Sequence, residues 1–363
     1  MSDLDRKQQR GFGRRILTDS TAVFRLKDIE AGLAGDKKGS TPPKVPVQPP
    51  RQPAAPPPMP VEAAPAMPQA PRLDEAPARE ERVDLSVIAG DERPTAEITG
   101  RLPTKKAQRI VFFASKGGVG ATVCAAHVAG ALTKLGHRVC LVDMDLQMGS
   151  TAFALGVQTT RSLANLAQAV KLGEDAVADF PMAQHDSGVY LLDQPDLAEV
   201  GEVGPDGLPN VMSALSDIFD YVLIDGLRDF GDHAIVTMDE AHQIIIVAND
   251  DVPSLRCGLR AKELFRRLGY ASDTMRLMLN KNSDDDETFI AAVTQAFGRD
   301  IDWIVPQMNS VPECVNAGQL LSDSDEHSAD ALVFENIARD IAGLPRIEPE
   351  KKGFLKRLFK RGS

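Results

Sequence analysis

The chain has 363 residues, four cysteines and a formal net charge of -11. This excess of acid argues against a surface that binds nucleic acid non-specifically over its whole extent. No run approaches the ~20 consecutive apolar residues that a membrane-spanning helix needs, and the charged start MSDLDRKQQR lacks the apolar stretch of a secretory signal. We therefore expect a cytoplasmic protein.

The first 104 residues carry little of what a folded core requires. Residues 41–80 hold 14 of the 25 prolines and almost no aromatic or branched apolar side chains, so we predict a disordered, Pro-rich linker over 41–104. Residues 1–40 form an N-terminal peptide. Within it, residues 14–33 are compatible with a short docking helix or with a disordered tail.

Residues 105–345 form the predicted folded domain, in which short apolar runs alternate with helical patterns. The runs are continuous and rich in Val, Ile and Leu, which is typical of strands covered on both faces. Strand and helix in alternation predict an α/β fold with a doubly wound, mostly parallel sheet flanked by helices. Ligands of such sheets bind at the carboxyl ends of the strands. Seven strands are predicted: 109–114, 138–145, 188–193, 220–225, 242–249, 275–281 and 301–306.

The four cysteines lie far apart, with no C-x-x-C pair and no histidine cluster nearby. This spacing argues against metal or redox chemistry. We expect all four to be small apolar side chains of the core. They are Cys124, Cys140, Cys257 and Cys314.

The stretch SKGGVGAT, residues 115–122, lies between the first predicted strand and a long helical pattern. Its three glycines are predicted to curl the backbone with positive φ, so that N–H groups and the helix N-terminus face a phosphate. The usual loop of this kind has a lysine before its final Ser or Thr, and here that residue is alanine. The candidate nucleotide-binding residues are Gly117, Gly118, Val119, Gly120, Ala121 and Thr122.

Four side chains near predicted strand ends are candidates for Mg²⁺ chemistry. Thr122 is expected to bind Mg²⁺ through its hydroxyl, with an ordinary first-turn threonine as the alternative. Asp143 and Asp145, two residues apart and hence on one face of the predicted strand, are assigned to outer-sphere coordination of Mg²⁺ and to positioning a water. Asp225 ends the fourth predicted strand as a metal-binding carboxylate. Structural roles are the alternative for all three aspartates.

SKGGVGAT, LVDMDLQMG and FDYVLID resemble the deviant Walker A, Walker A′ and Walker B motifs of the ParA/MinD family of dimerising ATPases. The resemblance covers about residues 107–345 and implies ATP and Mg²⁺ as cofactors. It also implies a face-to-face homodimer in which the lysine at the front of the loop, Lys116, acts catalytically on the partner's nucleotide.

Within that family the chain is most similar to the TadZ/CpaE branch of tight-adherence (Flp) pilus assembly proteins. KGGVGAT, DMDLQMG, DVPSLR, LNKN and VPQMNSVPECVNAGQLL carry this similarity. LNKN places Asn280 where the family contacts adenine, with a strand-end turn residue as the alternative. The branch usually carries a receiver-like domain before the ATPase domain, and residues 1–105 lack its strands. The stretch GLRDF replaces the proline-containing switch that commonly follows Walker B.

Alanine at position 121 bears most directly on hydrolysis. A preorganised cation at a developing phosphoryl charge contributes roughly 10²–10³ in rate, whereas backbone amides, Mg²⁺ and a partner's Lys116 can still hold the nucleotide. We therefore predict nucleotide binding with weak or absent ATPase activity. Loss of nucleotide binding as well, leaving a scaffold in ATPase form, is the alternative.

The basic stretch EKKGFLKRLFKRGS lies in the predicted C-terminal tail, residues 346–363. Phe354, Leu355, Leu358 and Phe359 form one apolar stripe among six Lys and Arg, the pattern of a helix lying in an anionic membrane surface through residues 352–361. It resembles the membrane-targeting tail of MinD. A solvated basic end or a protein-docking helix is the alternative.

The leading hypothesis is a nucleotide-dependent dimeric scaffold that positions a pilus or secretion machine at the inner face of the cell membrane, with polar placement left open. A MinD/ParA-like cycling ATPase in division-site, cargo or DNA positioning is the second hypothesis. DNA binding is not expected, because the arginines that would carry it fit a solvated helix face or a dimer surface better. These are Arg256, Arg260, Arg266 and Arg267.

Overall fold

The computed structural model describes residues 105–173, 180–283, 287–324 and 328–348. Within these ranges the chain forms an eight-stranded sheet with helices on both faces. The N-terminal peptide, the linker and the basic stretch of the tail lie outside the described residues. The domain boundaries predicted for them stay predictions.

The strands line up in an order that differs from their order in sequence. They are β1 (Gln108–Ala114), β2 (Val139–Asp143), β3 (Ala183–Gln184), β4 (Tyr190–Leu192), β5 (Tyr221–Asp225), β6 (Gln243–Asn249), β7 (Met275–Asn282) and β8 (Trp303–Pro306). Across the sheet the order is β3-β4-β2-β5-β1-β6-β7-β8. All neighbours are parallel except β3 and β4, which form an antiparallel edge. The predicted doubly wound, mostly parallel sheet is therefore confirmed.

Ten α-helices are present in the described ranges, together with 3₁₀ turns at Val200–Glu202 and Pro205–Gly207. One face of the sheet is covered by the third to seventh helices, and the other by the first two and the last three. The helices are α1 (Ala121–Lys134), α2 (Thr151–Leu155), α3 (Leu163–Lys171), α4 (Leu208–Ser216), α5 (Asp232–Asp239), α6 (Val252–Leu268), α7 (Glu287–Phe297), α8 (Ser310–Asn316), α9 (Leu321–Ser324) and α10 (Ala329–Ile341).

Two-sided burial explains the continuous apolar runs of the strands. Val111 and Phe113 of β1 pack under α3–α7, whereas Ile110 and Phe112 pack under the helices of the opposite face. Each fully buried side chain of this size contributes about 1.5–3 kcal/mol of transfer free energy. Because both faces of β1 are covered, its sequence shows no polar alternation.

All seven predicted strands are present, with ends shifted by up to two residues. β3 was not predicted. Asp225 ends its strand as predicted, but with β3 counted that strand is the fifth in sequence and not the fourth. β3 has two residues and pairs antiparallel with β4 at the sheet edge. Such a short segment has no periodicity for a sequence pattern to display.

Three of the four cysteines are buried as expected, and one is not. Cys124, Cys140 and Cys314 lie in the apolar clusters, and burial raises the pKa of the Cys124 thiol to about 12. Cys257 is exposed on α6, because it falls on the side of the helix opposite the buried Leu255. The expectation of a core position is therefore wrong for Cys257.

No helix among residues 105–173, 180–283, 287–324 and 328–348 combines the length and the apolar character needed to cross a bilayer. The same ranges contain no group of three or more His, Cys, Asp or Glu side chains placed to hold a metal ion. A metal ion bound in this part of the chain would therefore draw on a smaller set of protein groups.

Candidate functional site

The glycine loop joins β1 to α1 at the carboxyl edge of the sheet. Gly118 and Gly120 have positive φ, at 80° and 84°, and Gly120 forms the N-cap of α1. Gly117 does not belong to the residues with positive φ, so the prediction of three such glycines holds for two of them. A side chain at Gly117 or Gly118 would meet no atom within 4 Å. The loop thus presents open backbone beside a helix N-terminus, as an anion site requires.

Ala121 is the first residue of α1 and is buried in the apolar cluster that includes Val119 and Cys124. No ammonium group can come from this position, which is where the usual loop supplies one. Any side-chain cation that meets a phosphate here must therefore come from another part of the chain or from a partner.

Lys116, at the front of the loop, is held by its own chain. Its ammonium group lies 3.3 Å from Oδ2 of Asp251, and both side chains are between one third and two fifths exposed. The other carboxylate oxygen of Asp251 accepts a hydrogen bond from the backbone N–H of Ser254 at 2.8 Å, which caps α6. Lys116 therefore lies at the surface, restrained by a residue from the loop after β6.

Asp143 and Asp225 end the neighbouring strands β2 and β5 and are paired in register. Asp225 is almost fully buried. Burial raises its pKa to about 6, the charge of Asp143 acts in the same direction, and the nearby hydroxyls of Thr122 and Thr151 oppose the shift. Its Oδ2 accepts a hydrogen bond from the Thr151 hydroxyl at 3.2 Å. Its Oδ1 is buried and finds no hydrogen-bond partner in the described part of the chain.

These residues fit a divalent cation. An unpartnered buried carboxylate oxygen costs free energy unless a cation or a donor satisfies it, and Mg²⁺ prefers oxygen ligands. Thr122 and Asp225 would hold the ion together with phosphate oxygens, and the ion would neutralise charge on the phosphates. The predicted roles of Thr122 and Asp225 stay predictions.

Asp143 is fully buried, and its oxygens are both engaged. Oδ1 accepts from the backbone N–H of Asp145 at 3.0 Å, and Oδ2 accepts from the N–H of Thr151 at 3.1 Å. Burial raises the pKa of Asp143, and these hydrogen bonds oppose the shift. With both oxygens occupied, we expect any effect of Asp143 on a bound ion to pass through an intervening group, as the outer-sphere assignment supposes.

Asp145 differs from its expected position. β2 ends at Asp143, so the strand alternation on which the prediction of a shared face depends does not extend to Asp145. Asp145 instead pairs with Arg228 at 3.3 Å and caps the turn at Met148. Gly226 makes this approach possible, since a Cβ there would lie 2.2 Å from the Asp145 nitrogen. The loops after β2 and β5 are thereby joined.

The end of β7 touches the glycine loop. Asn280 is buried, and its side-chain amide donates to the Val119 carbonyl at 2.7 Å. Lys281 donates from its ammonium group to the Gly118 carbonyl at 3.1 Å. The motif LNKN predicted that Asn280 contacts adenine, and it did not predict the contact with Val119. Lys281 and Arg228 were not predicted as site residues.

A cleft of about 280 Å³ opens beside these contacts. We call it the β7–β8 cleft, and its lining is largely apolar with a few polar groups, which is typical of small-molecule sites. Its lining includes Gly120, Asn280, Lys281, Pro306, Met308 and Val311.

The arginines of α6 do not form a free cationic face. Arg266 and Arg267 pair with Glu263 one turn earlier, at 2.8 and 2.9 Å. Arg256 and Arg260 are exposed on the same helix. This arrangement is that of a solvated helix face, the alternative preferred from sequence.

Comparison with known proteins gives matches in both sequence and structure. A family profile described as AAA domain matches residues 107–266. The septum site-determining protein MinD of Bacillus subtilis (strain 168) is 27% identical over 268 residues, which cover 69% of this chain and 96% of that protein. A ParA family ATPase from Chlorobium tepidum TLS superposes with a TM-score of 0.59 at 20% identity, covering 64% of this chain and 98% of that structure.

A MinD structure from Pyrococcus horikoshii OT3, solved with Mg-ADP, superposes with a TM-score of 0.55 at 25% identity and covers 65% of this chain and 96% of that structure. The sheet and helices thus have the fold of ParA/MinD P-loop NTPases. The matches support the ParA/MinD family of deviant Walker ATPases. The narrower TadZ/CpaE resemblance stays a prediction.

Proposed function

We propose that this chain is a nucleotide-binding positioning protein that forms a dimer with ATP and Mg²⁺ and hydrolyses ATP weakly or not at all. One observation carries the proposal: an open glycine loop with Ala121 in place of its lysine stands beside the unpartnered Oδ1 of buried Asp225. The retained parts bind phosphate and metal. The missing part is the one that stabilises charge during phosphoryl transfer.

The nucleotide would lie along the carboxyl edge of the sheet. Its phosphates would sit against the backbone amides of the glycine loop, and its base would enter the β7–β8 cleft beside Asn280. The predicted adenine contact of Asn280 is supported by its place in that lining. MinD of Pyrococcus horikoshii OT3 was solved with Mg-ADP, which supports the same ligands for this site.

Lys116 is proposed to act across a homodimer. Its side chain is about one third exposed, and Asp251, which it contacts, is a partly exposed carboxylate that it can leave. Asp145 is proposed to position a water, with Arg228 setting its orientation. The ion pair between Asp145 and Arg228 would pass structural changes at the nucleotide to the dimer surface.

The process served is proposed to be assembly of a tight-adherence (Flp) type pilus or a related secretion machine. The motifs DMDLQMG, DVPSLR and LNKN support it by resemblance. The basic stretch 352–361 would hold the dimer on anionic lipid at the inner face of the cell membrane, where two copies bind far better than one. DNA is not among the proposed partners.

The second candidate is a cycling ATPase of the MinD/ParA type. The Asp145–Arg228 pair favours it, because a contact joining the loops after β2 and β5 can respond to hydrolysis. Septum site-determining proteins among the relatives also favour it.

Two measurements separate the candidates. Equilibrium titration of the full chain with Mg-ATP should show saturable binding, while phosphate release stays at the rate of a blank without protein. Brisk turnover would favour the cycling ATPase, and no binding of ATP or ADP would reject both. In the native host, deletion of the gene should remove surface pili. A division-site defect with pili intact would point to the second candidate.

A further inference from the structure

Lys281 reaches the nucleotide loop from a different strand. Its side chain leaves the end of β7 and donates from its ammonium group to the Gly118 carbonyl at 3.1 Å. Its Cε would lie 3.7 Å from a Cβ built on Gly120. The side chain therefore extends along the same part of the loop that a lysine at position 121 would serve.

The backbone at Lys281 is unusual. It is the non-glycine residue with positive φ in the described ranges, at 53°. The left-handed region is unfavourable for a non-glycine residue, and such strain persists where the surrounding structure imposes it, often at ligand sites. The pairing of β7 with β8 also shifts register between Leu279 and Asn282, on either side of this residue. Register irregularities of this kind re-aim a side chain beside a site.

In the described ranges the charge of Lys281 is not neutralised by an ion pair with a carboxylate. No carboxylate in the described ranges forms an ion pair with it, and its one polar contact there is a neutral carbonyl. The side chain is exposed, at the junction of the glycine loop and the β7–β8 cleft. Its charge also lowers the pKa of the Cys124 thiol against the larger effect of burial, so it is felt in the first turn of α1.

We propose that Lys281 supplies in cis the phosphate-binding cation that Ala121 cannot, by turning its ammonium group from the Gly118 carbonyl to the phosphates of a nucleoside di- or triphosphate. The inference rests on the proposed nucleotide site and adds a residue to it. Asn280 fixes the loop through Val119, and Lys281 brings the charge. A lysine that reaches the phosphates from β7 would bind them without being aligned for phosphoryl transfer. This agrees with a protein that binds ATP and hydrolyses it weakly or not at all.

The test uses the full chain and competition against a fluorescent ATP analogue, with Mg-ATP, Mg-ADP and adenosine as competitors. Lys281→Gln should lower the binding affinity for ATP and ADP about tenfold or more, since a charge-assisted hydrogen bond to phosphate is lost. The affinity for adenosine should not change. Lys281→Arg should retain most of the affinity. The salt dependence of ATP binding should also become shallower in Lys281→Gln.

The deciding variant is Ala121→Lys. If Lys281 replaces the missing lysine, Ala121→Lys in the Lys281→Gln background should restore ATP affinity, and the two substitutions should be far from additive. Equal losses of affinity for ATP and adenosine, or no recovery of ATP affinity with Ala121→Lys, would show that Lys281 only stabilises the loop. Either result would overturn the proposal. Unchanged ATP affinity in Lys281→Gln would overturn it while leaving the nucleotide site intact. Failure of the unmodified chain to bind any nucleotide would overturn both.

Discussion

The ammonium group of Lys116 lies 3.3 Å from the carboxylate of Asp251, so the lysine proposed to act on a partner is paired within its own chain. The pair joins the glycine loop after β1 to the loop after β6. Because both side chains are partly exposed, the pair contributes at most about 1 kcal/mol. A lysine held this weakly is restrained in the single chain and free to change partners when a second chain offers phosphate.

Asp251→Asn should therefore favour the dimer. The substitution removes the charge that restrains Lys116 and keeps an oxygen that can accept from the Ser254 N–H, so α6 stays capped. We expect the dimer dissociation constant with Mg and a non-hydrolysable ATP analogue to fall about two- to fivefold, measured by sedimentation velocity. Asp250→Asn is the matched control, because Asp250 contacts Ser283. Equal dimerisation of Asp251→Asn and the control would contradict a restraining role.

Ala121→Lys should raise the rate of ATP hydrolysis. A cation at this position acts on charge that develops in the transition state, and such groups contribute roughly 10²–10³ in rate. Phosphate release under saturating Mg-ATP is the measurement. Ala121→Met, which adds a long uncharged side chain at the same buried position, should not raise it. A rate increase shared by both variants would trace the effect to packing, and no increase in either would remove the explanation of slow turnover.

The stability of the domain should fall in acid through His127. This histidine of α1 is buried against Phe334, burial lowers its pKa to about 4, and its Nδ1 bonds the Val123 carbonyl. Because the folded pKa lies below the unfolded value, stability is fully present above about pH 6.5 and is lost as pH falls toward 4. The loss approaches about 3 kcal/mol at 1.36 kcal/mol per unit.

His127→Leu should remove that part of the pH dependence. Urea unfolding at several values between pH 4 and pH 7.5 gives the free energies. Cys124→Ala is the control, since it alters the same helix at a thiol that stays neutral throughout this range and should shift all values equally. A slope as steep in His127→Leu as in the unmodified chain would assign the acid sensitivity to other groups.

Gly156→Ala should destabilise the domain by more than its backbone conformation alone requires. Gly156 has φ of 59°, and a Cβ on it would lie 2.6 Å from the Cα of Gly318. The clash is with backbone and cannot be relieved by a rotamer, so we expect a loss of about 2–4 kcal/mol in the free energy of unfolding. Gly298→Ala is the matched control, with φ of 60° and open surroundings. Similar losses in the two variants would show that the Gly156–Gly318 contact is not tight in solution.

Removal of residues 352–363 should abolish binding to vesicles that contain anionic lipid. The apolar stripe and its six cations supply both insertion and attraction, so the loss should be larger at low salt. Vesicle co-sedimentation with and without Mg-ATP is the measurement. Leu358→Glu in the full chain is a milder variant that keeps the cations. Binding retained after the deletion would remove the membrane from the proposal.

The fold followed from sequence where burial repeats along the chain. β1, β5 and β6 are buried on both faces, and their uninterrupted apolar runs carry that information locally. The glycine loop was also local, because strand, glycines and helix are contiguous. β3 was not predicted, because a two-residue strand at the sheet edge forms only where β4 lies beside it. No local sequence pattern indicates that position.

The site was predicted less completely, since several of its contacts are made by tertiary structure. The spacing of Asp143 and Asp145 predicted one face of a strand, but β2 ends at Asp143, so strand alternation does not reach Asp145. Lys281 and Arg228 belong to the motifs LNKN and GLRDF, which were noted in the sequence without a role for either residue. Their contacts with Gly118 and Asp145 arise only once the sheet brings the end of β7 to the glycine loop across β6 and sets β5 beside β2.

The position of β1 in the sheet also governs how the protein is made. Gln108 of β1 pairs with Tyr221, and Ile110 with Gln243, so both flanking strands are synthesised more than a hundred residues after it. At roughly 5–20 residues per second, Phe112 and Phe113 wait several seconds or longer on the ribosome before either neighbour exists. During that interval the nascent chain exposes an apolar strand to chaperones and proteases, and fragments that stop before β5 lack both strands that pair with it.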